Sequence, residues 1–127
     1  MKHLPTIAGV LLGLLFIFAA SMVLLNLAPA PPLPEGSPAA LFMAAFAPTG
    51  YLTFVKVCQL LGGILVIIPR TRNFGLLVLG PIIINIVAYH TFIMKGEGLL
   101  NPILIAIVLL ALYLLWHARK SFAALLN

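Results

Sequence analysis

The sequence predicts an all-α integral membrane protein: a four-helix bundle with a short interfacial helix between its first and second spans. Three observations carry that prediction. Of 127 residues, 64% are apolar and 7% charged. Mean hydropathy is +1.25. The apolar residues also fall into four runs of near-membrane length, divided by charged or proline-containing turns. Water-soluble domains carry about 25% charged residues, so lipid is the expected solvent here, and the backbone polar groups must be satisfied inside helices.

A helix needs roughly 20 apolar residues, at about 1.5 Å each, to cross hydrocarbon about 30 Å thick. The first run covers 4–27. The second, 50–68, is interrupted only by Lys56 and Gln59 and stops at Pro69, Arg70, Thr71 and Arg72. The third, 74–94, ends at the turn Lys95, Gly96, Glu97, Gly98, and Pro102 opens the fourth, 102–117, as a first-turn residue. Residues 28–49 begin with a proline-rich stretch, extended because proline lacks an amide hydrogen and restricts its predecessor. A short helix from Pro38 to Ala47 follows, with Phe42, Met43 and Phe46 set to lie on or dip into the outer surface. Tyr51 and Phe54 extend an aromatic belt at that level. The whole chain, 1–127, reads as one transmembrane domain.

Seven basic residues face only Glu35 and Glu97, a formal charge of +5. The cations are scattered between apolar runs without the patch that phosphate backbones require, so no nucleic-acid partner is expected. They act as topology signals. With the amino terminus inside, Lys2, Arg70, Arg72, Arg119 and Lys120 are cytoplasmic and only Lys95 lies outside, which predicts both termini in the cytoplasm. The first run also has signal-peptide features, Lys2 before an apolar core and Ala28-Pro29-Ala30 after it. Its apolar part is about twice the usual 7–15 residues, which favours an uncleaved span. Cys58 is the sole cysteine, so the chain has no internal disulfide or CxxC pair, and a packing role is expected for it.

The informative residues are the polar ones inside the second and third runs. At about 1.5 Å per residue, Gln59, Asn85, Lys56, Tyr89 and His90 lie roughly 18 to 28 Å from the inner turn at Thr71, all in the outer half of a membrane. Lys56, Gln59 and Gly63 share a stripe at i, i+3, i+7, and Asn85 and Tyr89 are i, i+4 neighbours. His90 lies about 140° around from Asn85 unless Pro81 distorts the helix. A lysine deep in lipid costs at least ~2.5 kcal/mol near the centre. Either Lys56 snorkels to the headgroups, or it turns inward to the Asn85 carbonyl, Gln59 and His90, lining an outward-facing polar pocket. Gln59 and Asn85 serve either as interhelical glue or as pocket walls; His90 faces either interfacial water or the pocket. Gly62, Gly63, Gly75 and Gly80 offer small surfaces for close helix approach. No metal site is expected, because one histidine without a nearby carboxylate or second thiol cannot supply three ligands. No catalytic pair is expected either, since no nucleophile sits clearly beside a base and no phosphate loop is present.

The hairpin "VKVCQLLGGILVIIPRTRNFGLLVLGPIIINIVAYHTFIM" resembles the DoxX-like family of small bacterial membrane proteins, whose pattern is an "E-x-x-GG-x-L-x-L" helix followed by "AP-I-I-x-N-I-x-x-x-H". Gly62, Gly63, Pro81, Asn85 and His90 match it, and the upstream proline-rich loop, short helix and Thr-Gly-Tyr entry are similar as well. Where the family often has glutamate this chain has Gln59, so the carboxylate that could pair Lys56 or relay a proton is missing. The resemblance implies a four-helix bundle in the bacterial inner membrane. It also implies an association with quinone-linked sulfur oxidation or with membrane complexes that handle redox stress.

The functional expectation is an accessory membrane protein, at most a subunit of an oxidoreductase complex, with no intrinsic cofactor. Its ligand residues would be Lys56, Gln59, Asn85, Tyr89 and His90. A quinone headgroup suits them, because its carbonyls accept hydrogen bonds and Lys56, Asn85, Tyr89 and His90 are donors at similar depth; a lipid is the other guest. Expected partners are membrane lipids, redox-complex proteins and further copies of the chain. Two other classes stay open: a structural or assembly partner, and a small transport element formed by oligomerisation.

Overall fold

A computed structural model describes residues 3–25, 27, 34–96 and 99–126. Lys2, Asn26, the candidate cleavage segment at 28–30, the proline run through 33 and the Glu97-Gly98 part of the third turn lie outside the described residues. Those described are mostly helical, without a strand.

Helix α1 spans Leu4–Leu24, with Pro5 in its first turn. Helix α2, Pro38–Phe46, starts where Ser37 accepts a hydrogen bond from the Ala40 amide at 3.2 Å and Pro38 supplies a pre-set φ. A 3₁₀ turn, Ala47–Thr49, leads to Gly50, whose φ of 83° suits a residue without a Cβ. The chain then bends by 84° into α3, Tyr51–Ile67. Helix α4, Arg72–Ala88, continues as a π turn over Tyr89–Ile93. Helix α5, Pro102–His117, is capped by the Asn101 side chain, which accepts from the Ile103 amide at 2.8 Å. A short helix α6, Arg119–Ala123, then turns off by 73°. The sequence reading missed α6, since five residues give too little periodicity to register.

Leu4–Leu24 and Arg72–Ile93 are each long and apolar enough to cross a membrane, and four such spans result if each bent pair, α2 with α3 and α5 with α6, counts as one. Helix α1 packs on α3 and α5, α3 on α4, and α4 on α5. Leu12, Phe16, Val66, Leu79 and Leu114 fill the centre, whereas Phe18, Ile84, Leu109 and Trp116 are well exposed. The exterior is therefore as greasy as the interior.

The α1–α3 seam is a close backbone approach. A Cβ on Gly13 would sit 2.5 Å from the Gly63 carbonyl oxygen, and one on Gly63 would sit 3.0 Å from the Gly13 oxygen. Only glycines allow two backbones to meet there. Gly9 and Gly13 form a GxxxG pair on α1, a signal the sequence reading passed over in favour of the hairpin glycines. Of those, Gly62 meets the Leu79 side chain and Gly75 the Val66 backbone, as expected, but Gly80 has nothing within 4 Å and serves no helix contact.

The α3–α4 turn is closed by side chains. Arg72 donates from Nε to the Val66 carbonyl at 3.1 Å and from Nη2 to the Ile67 carbonyl at 3.4 Å. The Thr71 hydroxyl donates back to Leu65 at 2.8 Å. These groups satisfy carbonyls that the end of α3 leaves without helical partners. Arg119 does the same for α5, donating to the Trp116 carbonyl at 2.9 Å while its guanidinium lies 4.2 Å from the Trp116 ring centre.

Candidate functional site

Gln59 is the one buried polar residue among those described, 3% exposed near the middle of α3. One turn earlier on the same face, Lys56 is half-buried, and its ammonium donates to Gln59 Oε1 at 3.2 Å. The i, i+3 spacing makes the contact, since residues three apart on a helix are neighbours. A neutral amide thus stands where a carboxylate would form an ion pair, and it takes one of the three ammonium hydrogens.

Asn85 does not join this pair. It is exposed on α4, and its side chain makes no hydrogen bond among the described residues. Of the partners that the inward alternative gave Lys56, Gln59 is met and Asn85 is not. Depth arithmetic fixes height along the hairpin but not the angle around α4, and Leu79 and Ile83 hold the buried face.

Tyr89 and His90 sit in the π turn. The Met94 amide donates to the Tyr89 carbonyl at 2.9 Å, closing an i→i+5 ring, and the Gly96 amide donates to His90 at 2.7 Å. Lys95, at φ 54°, and Gly96, at φ 91°, then end the helix in the left-handed region. Pro81 lies inside α4, and the wide turn that holds His90 begins eight residues after it. His90 opens on a cleft shared with Asn101, Ile103, Leu104 and Ile107.

The sequence reading missed an aromatic ladder. Tyr51 and Phe46 ring centres are 5.2 Å apart, Phe46 and Phe42 4.8 Å, Phe42 and Tyr89 5.2 Å, Tyr89 and His90 5.5 Å. Five rings run from the start of α3 across α2 to the π turn. Phe42, expected to lie on or dip into the membrane surface, packs its ring on Tyr89. The i, i+4 spacing of Phe42 and Phe46 was the available signal. Ser37, Pro38 and Ala39 share a second cleft with Ile93, Met94 and Lys95, so α2 lies at the end of α4 remote from Arg72.

Among the described residues no three His, Cys, Asp or Glu side chains come together as a metal site would require. The arrangement can donate hydrogen bonds from Lys56, Tyr89 and His90 and offer ring faces. Among the described residues it holds no paired acid and base.

Fold and site together define an all-helical protein with two to four helices able to cross a membrane and a polar pair on α3. The chain is similar to the uncharacterized protein YwoB of Bacillus subtilis (strain 168), 35% identical over 72 residues, which cover 57% of this chain and 45% of that relative. It therefore spans less than half of that relative's length. No family model and no solved structure matches.

Proposed function

We propose that this chain is a DoxX-like four-span bundle of a bacterial cytoplasmic membrane, with both termini on the cytoplasmic side. Its role is that of an accessory subunit in a membrane redox system, binding a small lipid-soluble molecule at the outer ends of α3 and α4, and a quinone headgroup fits best. The observation that carries this reading is the Lys56–Gln59 pair. A cation in an apolar helix, held by a neutral amide and still owning two free hydrogens, is costly to keep in lipid and well suited to a carbonyl oxygen. The ladder ending at Tyr89 and His90 adds ring faces and further donors. A partner protein would supply the electrons.

The experiment is extraction of lipid-soluble molecules from the protein purified in mild detergent. Bound quinone in the wild type, absent in a folded Lys56→Met variant, is the expected result. No quinone in native-lipid preparations sinks the proposal.

One observation favours a second reading, as an assembly partner: Asn85 is exposed without a side-chain partner. An amide facing lipid is interhelical glue waiting for another protein. On that reading Asn85→Leu loses a copurifying protein and leaves quinone content unchanged.

A further inference from the structure

Resting on the membrane reading above, we infer that the cleft between the α3–α4 turn and the α5–α6 junction binds the phosphate of an anionic membrane lipid. Its walls are Pro69, Arg72, Asn73, Leu114, His117 and Ser121. Arg72 uses Nε and Nη2 on the α3 carbonyls beside Gly9 of α1, which fixes its guanidinium in place, and no bond to Nη1 is found among the described residues. Asn73 and Ser121 are exposed, and their side chains have no hydrogen-bond partner among the described residues. His117 stacks on Tyr113, with ring centres 6.2 Å apart. The Thr71 hydroxyl points back to Leu65 rather than capping α4, so the first amides of α4 add positive potential at the same place.

The charge balance at this end favours an anion. The carbonyl ends of α3 and α5, which would repel one, are already bonded by Arg72 and Arg119. Arg70 and Lys120 flank the cleft in sequence. The only acidic residue among those described, Glu35, precedes α2 at the opposite end. Leu114, 1% exposed, and Pro69 give the cleft an apolar side, suited to a glycerol backbone and first methylenes rather than to a fully hydrated ion. In a membrane, α6 at 73° to α5 would lie along the surface beside the exposed Trp116, at headgroup depth. A lipid phosphate is held at that depth by its own chains, an effective concentration that free phosphate does not reach.

Trp116 is the sole tryptophan and reports on the site. The full chain is reconstituted in vesicles containing either phosphatidylglycerol or phosphatidylcholine with brominated acyl chains, and quenching is followed against mole fraction. Wild type is expected to show half-quenching at a roughly fivefold lower fraction of the anionic lipid, the scale of one well-placed cation. The pair Asn73→Asp with Ser121→Glu puts two carboxylates in the cleft at exposed positions, and the aspartate suits the start of α4. Helical content confirms folding, and the preference is expected to vanish. Arg70→Glu, an equal charge change outside the cleft wall, is expected to keep most of it. Equal quenching by both lipids in wild type, or equal losses in the two variants, overturns the site. Inorganic phosphate that abolishes the preference where sodium chloride of matched ionic strength does not reassigns the cleft to free phosphate and overturns the lipid assignment. Quenching by neither lipid overturns the membrane reading, and the site with it.

Discussion

The Lys56 ammonium and the Gln59 side-chain oxygen lie 3.2 Å apart on one face of α3, the lysine half-buried and the glutamine fully so. Removing one member leaves a polar group without its partner, while removing both leaves an apolar helix. Gln59→Leu is therefore expected to destabilise by roughly 1–3 kcal/mol, the cost of leaving the half-buried Lys56 ammonium without its acceptor. Lys56→Met leaves the fully buried Gln59 oxygen without its donor and is expected to cost a similar amount, and the double variant recovers most of the loss. Unfolding midpoints in detergent, arranged as a double-mutant cycle, give the coupling. Additive losses would show that the pair is not energetically joined.

Gln59→Glu puts a carboxylate in place of the amide that Lys56 meets. It converts the pair to an ion pair at the same spacing, without adding volume. The wild-type bond already has a charged donor, and the variant adds a charged acceptor to it. The variant is expected to be more stable than wild type above the glutamate pKa and to lose that gain as acid protonates the carboxylate. A thermal midpoint that does not vary with pH would show that Lys56 does not meet residue 59 in solution.

The Gly13–Gly63 crossing leads to a steric prediction. A Cβ on Gly13 meets the Gly63 carbonyl and the Ile67 side chain, so Gly13→Ala must push α1 off α3. Overpacking of this kind costs about 1–3 kcal/mol. Leu14 is 52% exposed on the same helix, and Leu14→Ala is expected to stay within about 0.5 kcal/mol. Comparable losses from the two substitutions would place the α1–α3 seam elsewhere.

Most element boundaries were legible because helix signals are local. Pro38 and Pro102 at first turns and Gly50 at the bend into α3 mark their positions whatever packs nearby. Reading the start of the third helix at 74 missed Arg72, whose side chain reaches back to α3 across the turn and so belongs to the helix it begins. Lys56 and Gln59 were recoverable from an i, i+3 spacing. Asn85 was misplaced because its environment depends on the rotation of α4 about its own axis, which apolar residues on every side of that helix leave unspecified. The aromatic ladder depends on α2 folding back over the π turn, a tertiary event that only the Phe42 and Phe46 spacing hinted at.

Phe42 joins α2 to the π turn through Tyr89 and to Phe46 within its own helix. Each aromatic pair adds about 0.5–1.5 kcal/mol beyond area burial. Phe42→Ala is thus expected to release α2 locally, raising amide exchange over residues 38–46 by roughly tenfold while α1 and α5 keep their protection. Tyr89→Phe keeps the ring and is expected to leave exchange unchanged, whereas Tyr89→Leu should reproduce most of the Phe42→Ala effect. If the ladder also forms one wall of the ligand site, the leucine variant loses bound quinone together with α2 protection. Protection that survives both Phe42→Ala and Tyr89→Leu would mean that α2 is held by something other than these rings.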